Sequence, residues 1–307
     1  MELNFWKKRK TVAVHSGNFH ADDVFSVATL SLYLGYIPKI IRTRETEKIQ
    51  KADYILDVGC IYDPLKNRFD HHQVGGAGER LNGIPYATFG LIWKELGEKI
   101  TGSKEVAEII EKKLVTAIDA DDNAMEACGN FVCDARPYTI SDFVIYNNFN
   151  CAEKKQKKVF RKLVDLAREI IIMEIEIAQG FVEDHKKVEA IYLATEDKRL
   201  ILLDQDYDWN GILSDHPEPL FVIKPDLKIK AWKIYAVKIK GEKFKNRVDL
   251  PKSWASKKDQ ELARITGVDD AVYCHHQRYM AIAKSKEGAI ELAQLALNLS
   301  TKLEISN

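Results

Sequence analysis

The feature that most constrains this chain is that three short strand-like runs in its first half lead into or carry a histidine or an aspartate. The run Thr11–Val14 leads into His15, 54–58 carries Asp57, and Arg68-Phe69 leads into Asp70-His71-His72. Between these runs lie a further short run at 39–43 and segments with helical spacing at 22–35, 88–96 and 104–118. That alternation predicts βαβ units and a mainly parallel sheet. In the last helix Val106, Ile109, Ile110 and Leu114 share a face with Lys113, which puts Asp119 at or just past a helix end.

From 151 to about 187 runs a charged, proline-free stretch with Val159, Leu163, Leu166, Ile170 and Met173 at helical spacing. It predicts one long helix joining two domains, as a length of 307 residues also suggests. Strand-like runs follow at 190–194, 200–203, 220–224 and 231–240, and a helix at 286–303 closes the chain. The predicted fold is α/β, with a catalytic domain over 1–186 and a smaller α/β domain over 187–307.

In an open parallel sheet the carboxyl ends of the strands face one crevice, so residues far apart in sequence converge there. The His15-Ser-Gly-Asn-Phe-His20-Ala-Asp22-Asp23 loop, Asp57, Asp70-His71-His72-Gln73 and Asp119-Ala-Asp-Asp122-Asn123 are then candidates for one site. Imidazole and carboxylate without thiolate suit manganese, zinc, cobalt or iron. His15, His20, Asp22, Asp57, His71 and Asp119 suffice for two ions, with Asp57 as the bridge. Each signal has a plainer reading, because Asp22 and Asp23 also stand where an N-cap and a first-turn acid stabilise a helix. The concentration of four of the eight histidines in two of these segments favours the metal site.

Composition narrows the partners. Lys plus Arg and Asp plus Glu are both 46, so no global charge draws the chain to duplex DNA. The five cysteines, Cys60, Cys128, Cys133, Cys151 and Cys274, include no C-x-x-C pair and suit free thiols in a reducing, cytoplasmic compartment. No apolar region follows the basic start, and the apolar stretch 170–178 is broken by Glu174 and Glu176, so no membrane span is expected. The basic stretch 224–258 interleaves lysines with Trp232, Tyr235, Phe244 and Trp254. Such a pattern can track a single strand, but a half-buried strand with its lysines in water has the same alternation and is the preferred reading.

Taken together, His15-Ser-Gly-Asn-Phe-His20-Ala-Asp22-Asp23, Asp57-Val-Gly, Tyr62-Asp-Pro64, Arg68-Phe-Asp-His-His-Gln73 and Ile118-Asp-Ala-Asp-Asp-Asn123 resemble the DHH phosphoesterase superfamily. Within it the chain is most similar to the melanocyte-proliferating-gene exonuclease family. The likeness continues at Leu250-Pro-Lys-Ser-Trp254 and from Ala271-Val-Tyr-Cys-His275 to Lys284-Ser285, so it spans nearly the whole chain. Departures are His20, where the superfamily's first motif more often has Asp, and Ala124 and Arg278, where the family usually has Gly.

The resemblance implies a DHH-type catalytic domain and a substrate-binding domain. It also implies two divalent ions, manganese first and magnesium, cobalt or zinc next, on the six ligands above. His72 would bond a phosphate oxygen or orient the attacking water, and Asp70 would orient a histidine. His275, His276, Arg278, Lys284 and Ser285 would contact substrate from the second domain. The implied activity is exonucleolytic hydrolysis of single-stranded RNA or short oligonucleotides, by a chain that a homodimer would also suit. A small-phosphate hydrolase, such as a pyrophosphatase or dinucleotide phosphodiesterase, is the first rival reading. A non-catalytic, metal-stabilised nucleic-acid binder is the second.

Overall fold

Four parallel strands, β1 (Thr11–Val14), β2 (Lys39–Arg42), β3 (Tyr54–Leu56) and β4 (Arg68–Phe69), carry the first half of the chain. They stand in the order β2-β1-β3-β4 in a computed structural model that describes residues 9–125, 137–148, 152–242 and 244–305. Val12, Ala13 and Val14 of β1 are all fully buried, as expected of a central parallel strand covered on both faces. The helices are α1 (Ala21–Leu34), a short α2 (Thr46–Gln50) and α3 (Thr88–Thr101). α1 is buried along almost its whole length and packs on α3, with the Phe25 and Phe89 rings 5.4 Å apart.

Next comes α4 (Lys104–Ile110), which passes through a π-helical turn at Glu111–Val115 into α5 (Thr116–Asp122). The predicted helix thus runs past its expected end, and Asp119 lies inside α5 instead of beyond it. α6 (Ile140–Asn148) and then α7 (Glu153–Ala194), 42 residues long, complete this half.

Two compact units, Met1–Gln179 and Gly180–Asn307, divide the chain within α7. The strand expected at 190–194 is the last turn of that helix. Val188 and Tyr192, four residues apart, enter a core with Ile201, Leu213 and Val222, so tertiary packing overrides the local β-branched character.

The second unit holds β5 (Leu200–Leu202), α8 (Asn210–Asp215), β6 (Phe221–Asp226), β7 (Ala231–Ala236), α9 (Asp259–Thr266), β8 (Ala271–Cys274), β9 (Met280–Ala283) and α10 (Lys286–Ile305). Its mixed sheet has the order β5-β6-β7-β9-β8, with β5 parallel to β6 and the other pairs antiparallel. α10 buries Ala289, Leu292, Ala293 and Ala296 in the core that holds Phe221, Ile234 and Trp254. Among the described residues no helix is long and apolar enough to cross a membrane. Cys60 is exposed and Cys274 buried; Cys128, Cys133 and Cys151 lie outside the described residues.

The first turn of α10 supplies a test of packing. A Cβ on Gly288 would stand 1.8 Å from Asp270 Oδ1, whereas one on Gly180 in α7 would meet nothing within 4 Å. Gly288→Ala should cost about 1–3 kcal/mol by overpacking, and Gly180→Ala should be neutral or stabilising by up to about 1 kcal/mol. Urea denaturation checks both, and equal effects would contradict the packing described.

Candidate metal centre

The parallel strands deliver their following residues to one edge. His15 is the first residue after β1, Asp57 the first after β3, and Asp70, His71 and His72 the first three after β4. The chain moves from β1 to β2 on one side and then to β3 on the other, so strand order reverses between β1 and β3, the usual ligand-binding point of such sheets. Asp57 has φ +54°, a left-handed conformation that costs a non-glycine residue about 1–3 kcal/mol and often marks a site. There its carboxylate lies among three imidazoles. Oδ2 is 3.2 Å from His15 Nε2, and Oδ1 is 3.6 Å from His71 Nε2 and 3.5 Å from His72 Nδ1.

Helix termini complete the group. From the start of α1, Asp23 Oδ2 lies 2.9 Å from His15 Nε2 and accepts the His20 backbone N–H at 2.9 Å. From the end of α5, Asp122 reaches His71 Nε2 at 3.2 Å and His20 Nδ1 at 3.6 Å. Three sets result: His15, His20 and Asp23; Asp57, His71 and His72; Asp22, His71 and Asp122. Within each set one ligand atom per residue lies within 4.8 Å of the others.

The donors fit a divalent cation. Asp22 Oδ2 and Asp23 Oδ1 are buried without a hydrogen-bond partner, and leaving such atoms unmet is costly. Burial, reinforced by the charges of Asp122, Asp57 and Asp119, pushes the Asp22 carboxyl well above the carboxylate range despite the Phe89 N–H it accepts at 2.5 Å. Burial also opposes a charged His15, but hydrogen bonds and charge from Asp23 and Asp57 outweigh it and hold the imidazole up at about 10. Asp122 and Asp57 do the same for His71, again to about 10. Burial would raise Asp57, yet His15, His71 and His72 hold it below the usual carboxylate range. In the metal-free protein, protons thus stand in for cations.

Asp119, expected among the ligands, stands outside all three sets. Its Oδ2 pairs with Arg80 at 2.7 Å and its Oδ1 accepts the Gly90 N–H at 3.0 Å. Arg80 also donates to Glu111 at 2.7 Å and stacks on Tyr86. A Cβ on Gly90 would fall 1.9 Å from Asp119 Oδ2, so only glycine permits this approach. Burial raises the Asp119 carboxyl to about 7 against the pull of Arg80. Asp122, Asp23 and Arg80 were absent from the sequence-derived ligand and site set. Asp122 and Asp23 stand in the quoted motifs, whereas Arg80 lies in a glycine-rich loop without periodicity.

Asp70 is buried and accepts from Cys60 N–H at 2.6 Å, His72 N–H at 3.1 Å and His72 Nδ1 at 2.7 Å. That is the geometry of a residue that orients an imidazole. His15, His20, Arg44, Asp57, Asp70 and His72 line a cleft of about 210 Å³ with the 58–60 turn.

In the second unit, Ser285 and Lys284 stand at the start of α10. Ser285 donates to Asp270 and accepts the Gly288 N–H at 3.0 Å, so its hydroxyl caps a helix. Arg278 pairs with Asp249 at 2.7 Å. His275 stacks near His276 and Tyr279, at ring distances of 4.2 and 4.4 Å. Part of the basic stretch is engaged: Lys224 pairs with Asp206, Lys233 with Asp226 and Lys240 with Asp215. Trp254 is in the core, with Trp232 packed against it.

A profile of the MYG1 exonuclease family, described as an uncharacterised protein family (UPF0160), matches residues 11–297. A MYG1 protein of Dictyostelium discoideum is 28% identical over 95% of this chain and 98% of its own length. A human MYG1 exonuclease is 25% identical over 93% and 85%. Among solved structures, a pGpG-specific phosphodiesterase, PggH of Vibrio cholerae, covers 94% of this chain and 98% of its own at 17% identity and TM-score 0.28. RecJ of Thermus thermophilus with Mn2+ covers 94% and 52% at 14% identity and TM-score 0.29.

Two outcomes are expected from the geometry. Asp122→Asn should lower bound metal with little loss of stability, whereas Asp119→Ala should leave Arg80 with one carboxylate fewer and cost about 3–5 kcal/mol. Elemental analysis and denaturation separate them, and the reverse pattern would make Asp119 the ligand. Second, His15 and His71 are protonated near neutral pH in the metal-free protein, and ligation requires the neutral imidazole. Mn2+ added to metal-free protein at pH 7.5 should therefore release protons, with affinity falling as pH falls; a titration without proton release contradicts this.

Proposed function

The chain belongs to the MYG1 exonuclease family, and from that we propose that it is a metal-dependent phosphoesterase, an exonuclease hydrolysing phosphodiesters of single-stranded RNA or short oligonucleotides. The observation that carries the reading is the convergence of three His/Asp sets, His71 shared by two of them, around the strand ends. The human and mouse relatives are named exonucleases, and an all imidazole and carboxylate donor set suits manganese.

The ligands in this reading are His15, His20, Asp22, Asp23, Asp57, His71 and Asp122. Divalent ions there supply Lewis acidity toward phosphoryl oxygens and lower the pKa of water to near neutrality. The remaining tasks fall to the chain's own groups. Asp70 takes the Nδ1 side of His72 and leaves Nε2 for the substrate. The same hydrogen bond raises the His72 pKa, which favours the ring as a proton donor to a phosphate oxygen or leaving group. The α3 N-terminus contributes too: Phe89 N–H and the Thr88 hydroxyl, at 3.3 Å, hold Asp22 and Asp57 in place.

The test is hydrolysis of an end-labelled short RNA across Mn2+, Mg2+, Co2+ and Zn2+. Metal-dependent release of nucleoside monophosphates supports the reading. Phosphate release from pyrophosphate with RNA left intact would favour the small-phosphate hydrolase, and RNA binding without turnover in any metal would favour a binding protein.

Variants separate the roles. His72→Ala should keep its metal and lose about a hundredfold in kcat, as for loss of one transition-state donor. Asp57→Ala or His71→Ala should lose metal and activity together, with far-UV circular dichroism close to wild type. Metal lost in step with activity in His72→Ala would make His72 a ligand.

A further inference from the structure

Two arginines leave the end of β2, and the structure uses them differently. Arg42 donates to the Gly17 carbonyl at 2.6 Å and lies 5.0 Å from the centres of the Phe19 and Phe160 rings. Its guanidinium is packed into the wall behind the first loop. Arg44, two residues on, is exposed and lines the cleft with His15, His20, Asp57, Asp70 and His72. Its contacts are long: Nε donates to the Ser16 carbonyl at 3.2 Å, and Nη2 lies 3.4 Å from His15 Nδ1. No carboxylate among the described residues pairs with it, although this is the most carboxylate-rich part of the unit.

An arginine without an acid partner at the mouth of such a cleft is available to an anion from outside. We infer that Arg44 binds phosphate oxygens of the substrate, as a cationic clamp on the cleft wall beside His15. This rests on the phosphoesterase reading and names the residue through which the first unit itself grips the phosphodiester. The guanidinium presents parallel N–H donors that match two oxygens of one phosphate, which an ammonium group cannot do. Contact with Ser16 and His15 aims the side chain along the cleft without neutralising it. In sequence Arg44 sits in the run Arg42-Thr43-Arg44-Glu45, which carries no motif.

The experiment compares wild type, Arg44→Ala and Arg44→Lys, each loaded with Mn2+, by three readouts: bound metal, equilibrium binding of a non-hydrolysable phosphorothioate dinucleotide, and KM and kcat on a short RNA. Arg44→Ala should retain the wild-type metal content, bind the dinucleotide ten- to a hundredfold more weakly and raise KM by a similar factor. Arg44→Lys should recover the charge but only part of the affinity. Unchanged dinucleotide binding in Arg44→Ala overturns the inference, and so does metal loss that accounts for the defect, which would make Arg44 a positioning residue for His15. A wild-type protein that hydrolyses RNA while Arg44→Ala binds normally defeats the clamp and leaves the phosphoesterase standing. A loaded wild type that neither binds the dinucleotide nor hydrolyses RNA defeats both.

Discussion

Buried negative charge is the constraint on which the first unit depends. Asp22, Asp23, Asp57, Asp70 and Asp119 are each 4% exposed or less, and an uncompensated buried carboxylate is too costly to survive in a fold of ordinary stability. Each is compensated differently. Arg80 and the Gly90 amide take Asp119; the Cys60 and His72 amides and the His72 ring take Asp70. Asp22, Asp23 and Asp57 are left among imidazoles, with one buried oxygen each of Asp22 and Asp23 still unmet. The arrangement fits cations, and the carboxylates differ in how far the protein's own groups satisfy them.

Much of this was legible in the chain. The strand-end positions of His15, Asp57 and His71 follow from β-branched runs ending on donors, because parallel topology sends every such residue to the same edge. That Asp119 pairs with Arg80 while Asp122 lies beside His71 was not legible. A π turn at Glu111–Val115 inserts one residue into the helical phase. It rotates the α5 side chains by about 100° relative to an unbroken α-helix, and no periodicity count marks where that happens. Arg80 is hidden for a related reason: its partners Glu111 and Asp119 lie 31 and 39 residues away.

In the second unit the lysine and aromatic alternation over 231–236 is strand register, with Ile234 facing the core and Lys233 paired to Asp226. The same pattern on an isolated segment could serve a nucleic acid. The neighbouring strand and its acids decide between the two, and sequence periodicity does not report them. Ser285 is similar: its hydroxyl meets Asp270 and the Gly288 amide, partners that the linear sequence does not show.

The central claim is that the strand-end donors hold a pair of ions. Crystals of the full chain grown or soaked with Mn2+, measured at the manganese absorption edge, test this directly. Two anomalous peaks about 3.5–4 Å apart are predicted, both beside Asp57 and within reach of His15 and His71. A single peak, peaks away from Asp57, or none at millimolar Mn2+ would contradict it.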